Sequence, residues 1–368
     1  FKYPSLWKSN IAADYKFGDG WVATVELLYS KDINAIYHDN IGLYRTEQFV
    51  NDGGAGNARP YYNGYYSDRE GNQKAANHVV MLRNTSKGHS LYTTFQLQKN
   101  FVDGILKGLY LNGSYSFGQS RGVTDGTSSV ATSAWKYRAA LDGNAEEVGY
   151  TAGSFDGRLL LSASYTANWS KYAATSFGLI YQRYRPFRYS YCYNGDANGD
   201  SQFSNDLMYI PANFDEVKDH LLPGDFDSQE DAWKAMNAFI EQDPYLSKHR
   251  GEYAERNGAV APFANQLDLS VSHDIKIYQK NGRSHTLRFS FNIANFLNLL
   301  NRNWGVVQTT VLGNQQYQFL TIPKGQGPSA ANNYTLKYTM AKDLDETFKD
   351  NLNDVSRWQM QFGIKYIF

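Results

Sequence analysis

The segment at residues 358–368 alternates between apolar and other residues along its whole length. Its alternate apolar residues are Trp358, Met360, Phe362, Ile364, Tyr366 and Phe368. The residues between them are polar or glycine, except Ile367. Because successive side chains of a strand point to opposite faces, this segment has one apolar face and one polar face. It is long enough to cross a bilayer at a tilt, so the pattern predicts a transmembrane β-strand.

The same period of two recurs elsewhere in the chain. It is found at residues 91–98, 109–117, 161–169, 267–276 and 287–293. An aromatic-rich soluble β-sandwich or lectin could also contain such strands. In a transmembrane barrel, however, the lumen-facing half of each strand is polar, so a mean hydropathy of -0.56 is compatible with membrane insertion. Aromatic residues make up 15% of the chain, and many lie near strand ends, as at a membrane interface.

The connections between the predicted strands alternate in length, one short and the next long. We predict about nine crossing strands, at residues 6–17, 21–45, 77–100, 104–120, 156–169, 171–193, 263–277, 284–297 and 357–368. Bacterial outer-membrane barrels have tight periplasmic turns and long extracellular loops, which gives this alternation. Three of the short turns contain residues that tolerate positive φ, at 18–20, 103–104 and 281–282.

These patterns predict an all-β fold: a transmembrane antiparallel β-barrel with long extracellular loops. Within the loops, residues 225–242 have helical spacing and predict one short amphipathic helix, and residues 303–341 predict a β excursion above the membrane. If Phe368 ends in the periplasm, the first of nine strands runs inward, whereas a complete bacterial barrel starts outward and has an even strand number. We therefore expect residues 1–368 to be the C-terminal portion of one larger barrel domain, whose plug and N-terminal strands precede Phe1.

Charge and motifs exclude several classes of function. The chain has 36 basic and 36 acidic residues and no basic patch, which argues against nucleic-acid binding. The single cysteine, Cys192, allows no intrachain disulfide and is expected to be structural or modestly exposed. The seven histidines form no H-E-x-x-H motif, and no G-x-S-x-G nucleophile motif is present. We therefore do not expect an enzyme.

Several blocks of sequence together resemble one family. They are residues 1–4, 14–15, 26–34, 193–200, 205–211, 295–301, 304–305 and 356–368. In these blocks the chain is similar to the outer-membrane TonB-dependent receptors of Bacteroidota, in particular the Oar-like group with an N-terminal carboxypeptidase-regulatory-like domain. The resemblance implies a 22-stranded barrel occluded by an N-terminal plug, which moves a substrate across the outer membrane with energy relayed by the TonB complex.

The resemblance also implies the partners and the location. The barrel would be integral to the bacterial outer membrane, in contact with lipid and lipopolysaccharide, with the rest of the barrel and the plug, and through its N-terminal part with the TonB complex. It leaves open a surface lipoprotein that caps the barrel.

An alternative function is a structural or adhesive surface barrel, or a non-transporting subunit of an outer-membrane assembly, in which the barrel anchors large loops.

One loop motif has the residue types of a calcium site. Asp196, Asn198 and Asp200 place oxygen ligands at alternate positions, and Asp206 follows. A hard cation prefers carboxylate and amide oxygens clustered on a tight turn. The motif departs from an EF-hand, because Gly199 is fourth rather than sixth and Asp206 is eleventh rather than twelfth. A hydrogen-bonded Asx turn that orders the loop is the alternative interpretation.

Two further features have alternative interpretations. The final residues Phe362, Ile364, Tyr366 and Phe368 resemble the insertion signal that the barrel-assembly machinery reads; they could equally serve to close the barrel. Two tyrosine clusters could stack on ligands at the mouth or simply pack the loops. The clusters are Tyr61, Tyr62, Tyr65 and Tyr66, and Tyr189, Tyr191 and Tyr193.

Overall fold

The computed structural model describes most of the chain. It covers residues 1–53, 59–63, 65–67, 73–75, 79–126, 128–278, 284–312 and 315–368, with the backbone alone at 65–67, 73–75, 278 and 284. The fold is nearly all-β and is dominated by one large antiparallel sheet, which confirms the all-β, antiparallel character of the predicted fold class.

Nine long strands in the described residues form this sheet, which we call the wall. They are Leu6–Phe17, Trp21–Asp32, Gly88–Asn100, Leu109–Gly122, Arg158–Ser170, Ala173–Tyr184, Ala264–Tyr278, Ser284–Ala294 and Gln359–Ile367. Each strand pairs antiparallel with the next long strand along the chain, and the short strand Gly149–Tyr150 joins at one side. The long strands therefore follow one another through the sheet in the order of the chain, as the succession of predicted strands requires.

The register of the wall aligns apolar residues in rows across neighbouring strands. In one row Ala163 lies opposite Leu179, and Leu179 lies opposite Leu269 on its other side. The row continues through Ile293 to Met360. Because directly opposed residues point to the same face of a sheet, the period of two within each strand becomes one continuous apolar face.

Two predicted strands are shorter than expected because the chain bends at the end of the strand opposite the short turns. The strand predicted at 21–45 ends at Asp32, where the backbone N–H groups of Ile33 and Asn34 both donate to the carbonyl oxygen of Ser5. The chain then continues as a separate hairpin, in which Ala35–Asn40 pairs with Val80–Thr85. The strand predicted at 77–100 accordingly enters the wall only at Gly88.

Two other predictions were wrong at their ends. The strand predicted at 171–193 stops at Tyr184 and resumes as Arg188–Tyr191, because Pro186 lies between them and has no N–H to donate. The strand predicted at 284–297 stops at Ala294. There Asn295 adopts a left-handed conformation with φ of 52°, and helix Phe296–Leu300 follows.

The short turns have the predicted positive φ angles where the structure describes them. Gly18, Gly20 and Gly104 all have positive φ, which glycine adopts without steric cost. The connection predicted at 101–103 extends to residue 108, because the next strand begins only at Leu109. The predicted turn at 281–282 lies outside the described residues.

The described residues of the long connections, at 33–87, 123–157, 185–263 and 295–358, pack together beyond one end of the wall, and we call them the cap. Its strands are Ala35–Asn40, Tyr44–Phe49, Pro60–Asn63, Tyr65–Ser67, Gln73–Ala75, Val80–Thr85, Gly149–Tyr150, Arg188–Tyr191, Tyr209–Ile210, Glu252–Tyr253, Ala259–Val260, Gln308–Thr310, Gln316–Tyr317, Leu320–Thr321, Thr339–Met340 and Phe348–Asp350. Its helices are Ala131–Lys136, Gln229–Gln242 and Phe296–Leu300, with short 3₁₀ turns at Phe214–Glu216, Leu246–Lys248, Ala330–Asn332 and Asp354–Ser356.

The cap has a hydrophobic core of its own. Helix Gln229–Gln242, which confirms the predicted helix, begins at Ser228, whose hydroxyl accepts a hydrogen bond from the backbone N–H of Asp231. Its inner face packs against the β excursion, and the Phe239 ring lies 4.8 Å from that of Phe319. The members of this core that are almost wholly buried include Tyr189, Tyr191, Tyr193, Met236, Phe239, Tyr317, Phe319 and Tyr338.

Backbone pairing ties the long connections to one another. Single bridges join Asn51 to Thr335, Ala140 to Asp206, and Asn194 to Thr321, and each bridge links two different connections.

Among the helices of the described residues, none is long and apolar enough to span a membrane.

Candidate functional site

One face of the wall exposes large apolar side chains along its whole width, and we call it the apolar face. Its exposed members include Ile11, Val25, Leu27, Phe95, Leu97, Leu161, Tyr165, Phe177, Leu179, Ile275, Met360, Phe362 and Ile364. A contiguous exposed apolar surface that extends across nine strands is far larger than water-soluble monomers normally carry.

Several aromatic side chains lie at the short-turn end of the apolar face. The rings of Phe17 and Trp21 stack with centroids 6.2 Å apart, and the Nζ of Lys99 lies 5.6 Å from the Trp21 ring centre. Trp169, on strand Arg158–Ser170, and Tyr172, in the turn that follows it, are exposed at the same end. Aromatic rings together with a folded-back lysine are typical of the boundary between hydrocarbon and water.

The opposite face of the wall is polar and joined by cross-strand hydrogen bonds, and we call it the polar face. Gln96 donates from Nε2 to Oδ1 of Asn112 at 2.7 Å, and Ser270 donates from its hydroxyl to Oδ1 of Asn292 at 2.8 Å. Further along, the Gln182 amide donates to Oε1 of Gln266 at 2.9 Å. These partners allow the polar face to lie against water or a hydrated partner.

The final strand carries the predicted insertion signal on the apolar face. The side chains of Phe362, Ile364, Tyr366 and Phe368 are all exposed. Strand Gln359–Ile367 pairs with Ser284–Ala294, and within the described residues its other edge has no strand partner. A strand with an unpaired edge can be recognised by strand addition, in which another protein pairs with its backbone. Both the insertion signal and barrel closure therefore remain predictions.

The predicted calcium motif folds into a compact acid cluster inside the cap. One carboxylate oxygen from each of Asp196, Asp200 and Asp206 can be chosen so that all three lie within 4.8 Å of one another. Asp200 and Asp206 are fully buried, and Asn198, also fully buried, hydrogen-bonds from Nδ2 to Oδ2 of Asp200 at 3.5 Å. The structure thus brings together all four residues that the sequence singled out.

Backbone N–H groups hold the carboxylates of this loop in place. Those of Asn198 and Gly199 donate to Oδ1 of Asp196 at 3.1 and 2.6 Å, and that of Ser201 donates to Oδ2 at 2.7 Å. The N–H of Ala197 donates to Oδ2 of Asp206 at 2.9 Å, which ties the two ends of the loop together. The predicted Asx turn is therefore present, and it leaves carboxylate lone pairs over for a further ligand.

Burial makes the charged form of these carboxylates unfavourable. It raises the pKa of Asp200 to about 7, with a further contribution from the negative charge of Asp196. Burial also raises the pKa of Asp206 well above its usual range, and the neighbouring Asp200 acts in the same direction while Arg59 opposes it. Such shifts are characteristic of acidic groups that lack sufficient compensating positive charge.

Two residues of the cluster were not predicted from the sequence. Asn205 is buried, and its side-chain Oδ1 has no hydrogen-bond partner in the described part of the chain. Arg59 is also buried, and its Nη1 lies 3.3 Å from Oδ1 of Asp206, 147 positions later in the chain. Asn205 could have been found because it precedes Asp206, whereas no sequence pattern points to Arg59.

The two tyrosine clusters pack the cap wherever their side chains are described. Tyr62 is buried, and its hydroxyl donates to Oδ1 of Asp142 at 2.5 Å; Tyr61 lies with its ring centre 4.4 Å from that of Tyr334. Tyr189, Tyr191 and Tyr193 belong to the hydrophobic core, so none of the three is available to stack on a ligand. The side chains of residues 65 and 66 lie outside the described part. The thiol of Cys192 is buried, so the residue is not modestly exposed, which was one of the two predicted alternatives.

Comparisons with known proteins add little to these observations. No protein-family model and no curated protein matches the chain. Among solved structures, the FrpB iron transporter from Neisseria meningitidis (F3-3 variant) shows a weak likeness, with a TM-score of 0.27 and 8% sequence identity. The matched region covers 78% of this chain, and the chain spans only 39% of the length of that transporter.

Proposed function

We propose that this chain forms part of the wall and the extracellular cap of an outer-membrane transport barrel of the TonB-dependent kind. The observation that carries the proposal is the two-sided wall, with a continuous apolar face opposite a hydrogen-bonded polar face. A bilayer would cover the apolar face, and the polar face would line the lumen. Strands of 9 to 15 residues are long enough to cross the hydrocarbon when tilted.

The edges of the wall support a barrel with further strands. Within the described residues, Leu6–Phe17 and Gln359–Ile367 each pair with a long strand on one side only. In hydrocarbon, unpaired backbone groups cost several kcal/mol each, so a membrane-spanning sheet must close. We propose that strands beyond these nine complete the barrel, and the family resemblance suggests a total of 22 with a plug in the lumen.

A second candidate function rests on the cap. The cap has a well-packed hydrophobic core, and its connections are joined by backbone bridges. A hydrophobic core of its own is typical of a structured domain. A barrel that anchors a structured surface domain, for adhesion or for assembly with another envelope protein, is therefore the alternative to transport.

Comparing three strains of the source bacterium would separate the two functions. One strain is unmodified, one lacks the gene that encodes this chain, and one lacks a functional TonB complex. Mass spectrometry of the spent medium would measure which small molecules and peptides are consumed or released. We expect the gene deletion to change a subset of these compounds, and we expect loss of TonB to change the same subset.

The result that would contradict transport is equally specific. If the gene deletion leaves the composition of the medium unchanged but removes another protein from the cell surface or abolishes adhesion, the anchoring function is supported instead. Reintroduction of the intact gene serves as the control, because it must restore the unmodified profile.

A further inference from the structure

The acid cluster of the cap contains oxygen atoms of the kind that a hard cation requires. Asp196, Asn198 and Asp200 are the first, third and fifth residues of the loop, and the carboxylate of Asp206 lies beside those of Asp196 and Asp200. Ser201, the sixth residue, has φ of 67°, so the chain makes there the left-handed turn that glycine usually makes in calcium loops. The departures from an EF-hand in the sequence therefore do not prevent a sharp loop.

An independent observation at the same place points to a ligand. The side-chain oxygen Oδ1 of Asn205 is buried and has no hydrogen-bond partner in the described residues, while the amide of this residue interacts with the carboxylate of Asp200. An unpaired buried amide oxygen costs free energy, so native proteins rarely retain one. A cation bound between the carboxylates would give this oxygen a partner.

The balance of charge leads to the same conclusion. Asp206 lies beside Arg59, but Arg59 also pairs with Asp52, with 2.9 Å between Nε and Oδ2. In the described residues, no basic side chain lies within 4.0 Å of Asp196 or Asp200. Buried carboxylates without a positive partner are strongly disfavoured, whereas a divalent cation would neutralise them.

We propose that Asp196, Asn198, Asp200, Asn205 and Asp206 bind one Ca²⁺ ion in the cap. The cluster offers oxygen ligands and contains neither histidine nor a thiolate among its described members, which favours calcium over zinc or copper. A set of carboxylate and amide oxygens suits Ca²⁺, which accepts about six to eight oxygen ligands in irregular geometry, better than Mg²⁺, which demands near-ideal octahedral geometry and retains several waters.

The bound ion would join separate segments of the cap. The carbonyl oxygen of Asn198 accepts a hydrogen bond from the N–H of Tyr62 at 2.7 Å, and Asp206 forms a backbone bridge with Ala140. The loop thus contacts connections that leave different wall strands. Because a ligand that binds only the folded state stabilises it, Ca²⁺ is expected to protect the cap from unfolding.

Calorimetric titration of the full-length protein with CaCl₂, after treatment with EDTA in detergent, tests the proposal. We expect one saturable binding event at this site, and we expect the single variants Asp200→Asn and Asp206→Asn to weaken it at least tenfold. The control variant Asp215→Asn removes a carboxylate that is 85% exposed elsewhere in the cap, so it should bind Ca²⁺ as the unmodified protein does. Limited proteolysis should show that Ca²⁺ slows cleavage of the cap at least several-fold in the unmodified protein and in the control.

A fourth variant keeps the test decisive if the aspartate variants do not fold. Asn205→Ala removes the unpaired amide oxygen without introducing a charge, and we expect it to weaken Ca²⁺ binding several-fold while the protein stays folded. The proposal is wrong if the unmodified protein binds no Ca²⁺ at millimolar concentrations. It is also wrong if Asp200→Asn, Asp206→Asn and Asn205→Ala, where they fold, all bind as tightly as Asp215→Asn.

Discussion

Replacing Leu179 with arginine is expected to destabilise the inserted wall by about 2–4 kcal/mol, the cost of a basic residue at the midplane of a bilayer. Leu179 lies near the middle of strand Ala173–Tyr184 on the apolar face, where its side chain is 40% exposed. In the proposed barrel, the Arg side chain at this position would have to lie in hydrocarbon. Reversible unfolding of the protein in bilayers, followed by tryptophan fluorescence in urea, would measure the loss.

The neighbouring residue provides a matched control. Ile180 is also aliphatic and is 48% exposed, but it lies on the polar face, between Ser162 and Asp268 of the adjacent strands. Ile180→Arg is expected to change stability by about 1 kcal/mol or less, because in the proposed barrel the new charge would face the lumen near a carboxylate. Equal losses for the two variants would contradict the assignment of the two faces.

Replacing Arg59 with leucine is expected to destabilise the cap by about 3–5 kcal/mol, since removing one member of a buried ion pair leaves an uncompensated charge. The guanidinium lies between the rings of Tyr193 and Tyr253, at 5.5 and 5.6 Å from their centres, and bonds to Asp52 and Asp206. Burial alone would lower the pKa of Arg59, but the two carboxylates outweigh it and raise the pKa, so the group stays charged. Hydrogen exchange of the cap amides would measure the effect.

A second arginine of the cap, Arg45, provides the control, because its replacement removes a charge that is exposed rather than buried. Arg45 pairs with Asp142 at 2.9 Å, but its side chain is 52% exposed. Solvent screens such a pair, so Arg45→Leu is expected to cost about 1 kcal/mol or less. If Arg59→Leu were no worse than Arg45→Leu, the buried pairs of Arg59 would not be stabilising the cap.

The wall could be predicted from the sequence because the signal is local. Each strand shows its two faces in the alternation of its own residues, as in Leu161, Ser162 and Ala163, so no knowledge of distant residues is needed. The positions where strands end were less predictable. Pro186 is visible in the sequence and indicates the end of strand Ala173–Tyr184. The break after Asp32 is not visible there, because it depends on the N–H groups of Ile33 and Asn34, which both donate to the carbonyl oxygen of Ser5.

The cap was predicted only in part because its interactions are remote in sequence. Tyr189, Tyr191 and Tyr193 alternate like residues of a wall strand, yet they are all buried in a core shared with Tyr317 and helix Gln229–Gln242. The acid loop was recognisable from Asp196 to Asp206 because a tight turn brings near neighbours together. Its positive partner was not, because only the tertiary fold brings Arg59 to Asp206.

The most direct test of the central claim, that one face of the wall contacts lipid and the other water, is a spin-label scan of strand Arg158–Ser170 in bilayers. Single cysteines can be introduced because the native Cys192 is buried and should not react. We predict high accessibility to molecular oxygen at Leu161, Ala163 and Tyr165, and lower accessibility at the residues between them. A water-soluble nickel complex should show the opposite alternation. If oxygen accessibility does not alternate with a period of two along this strand, the account is contradicted.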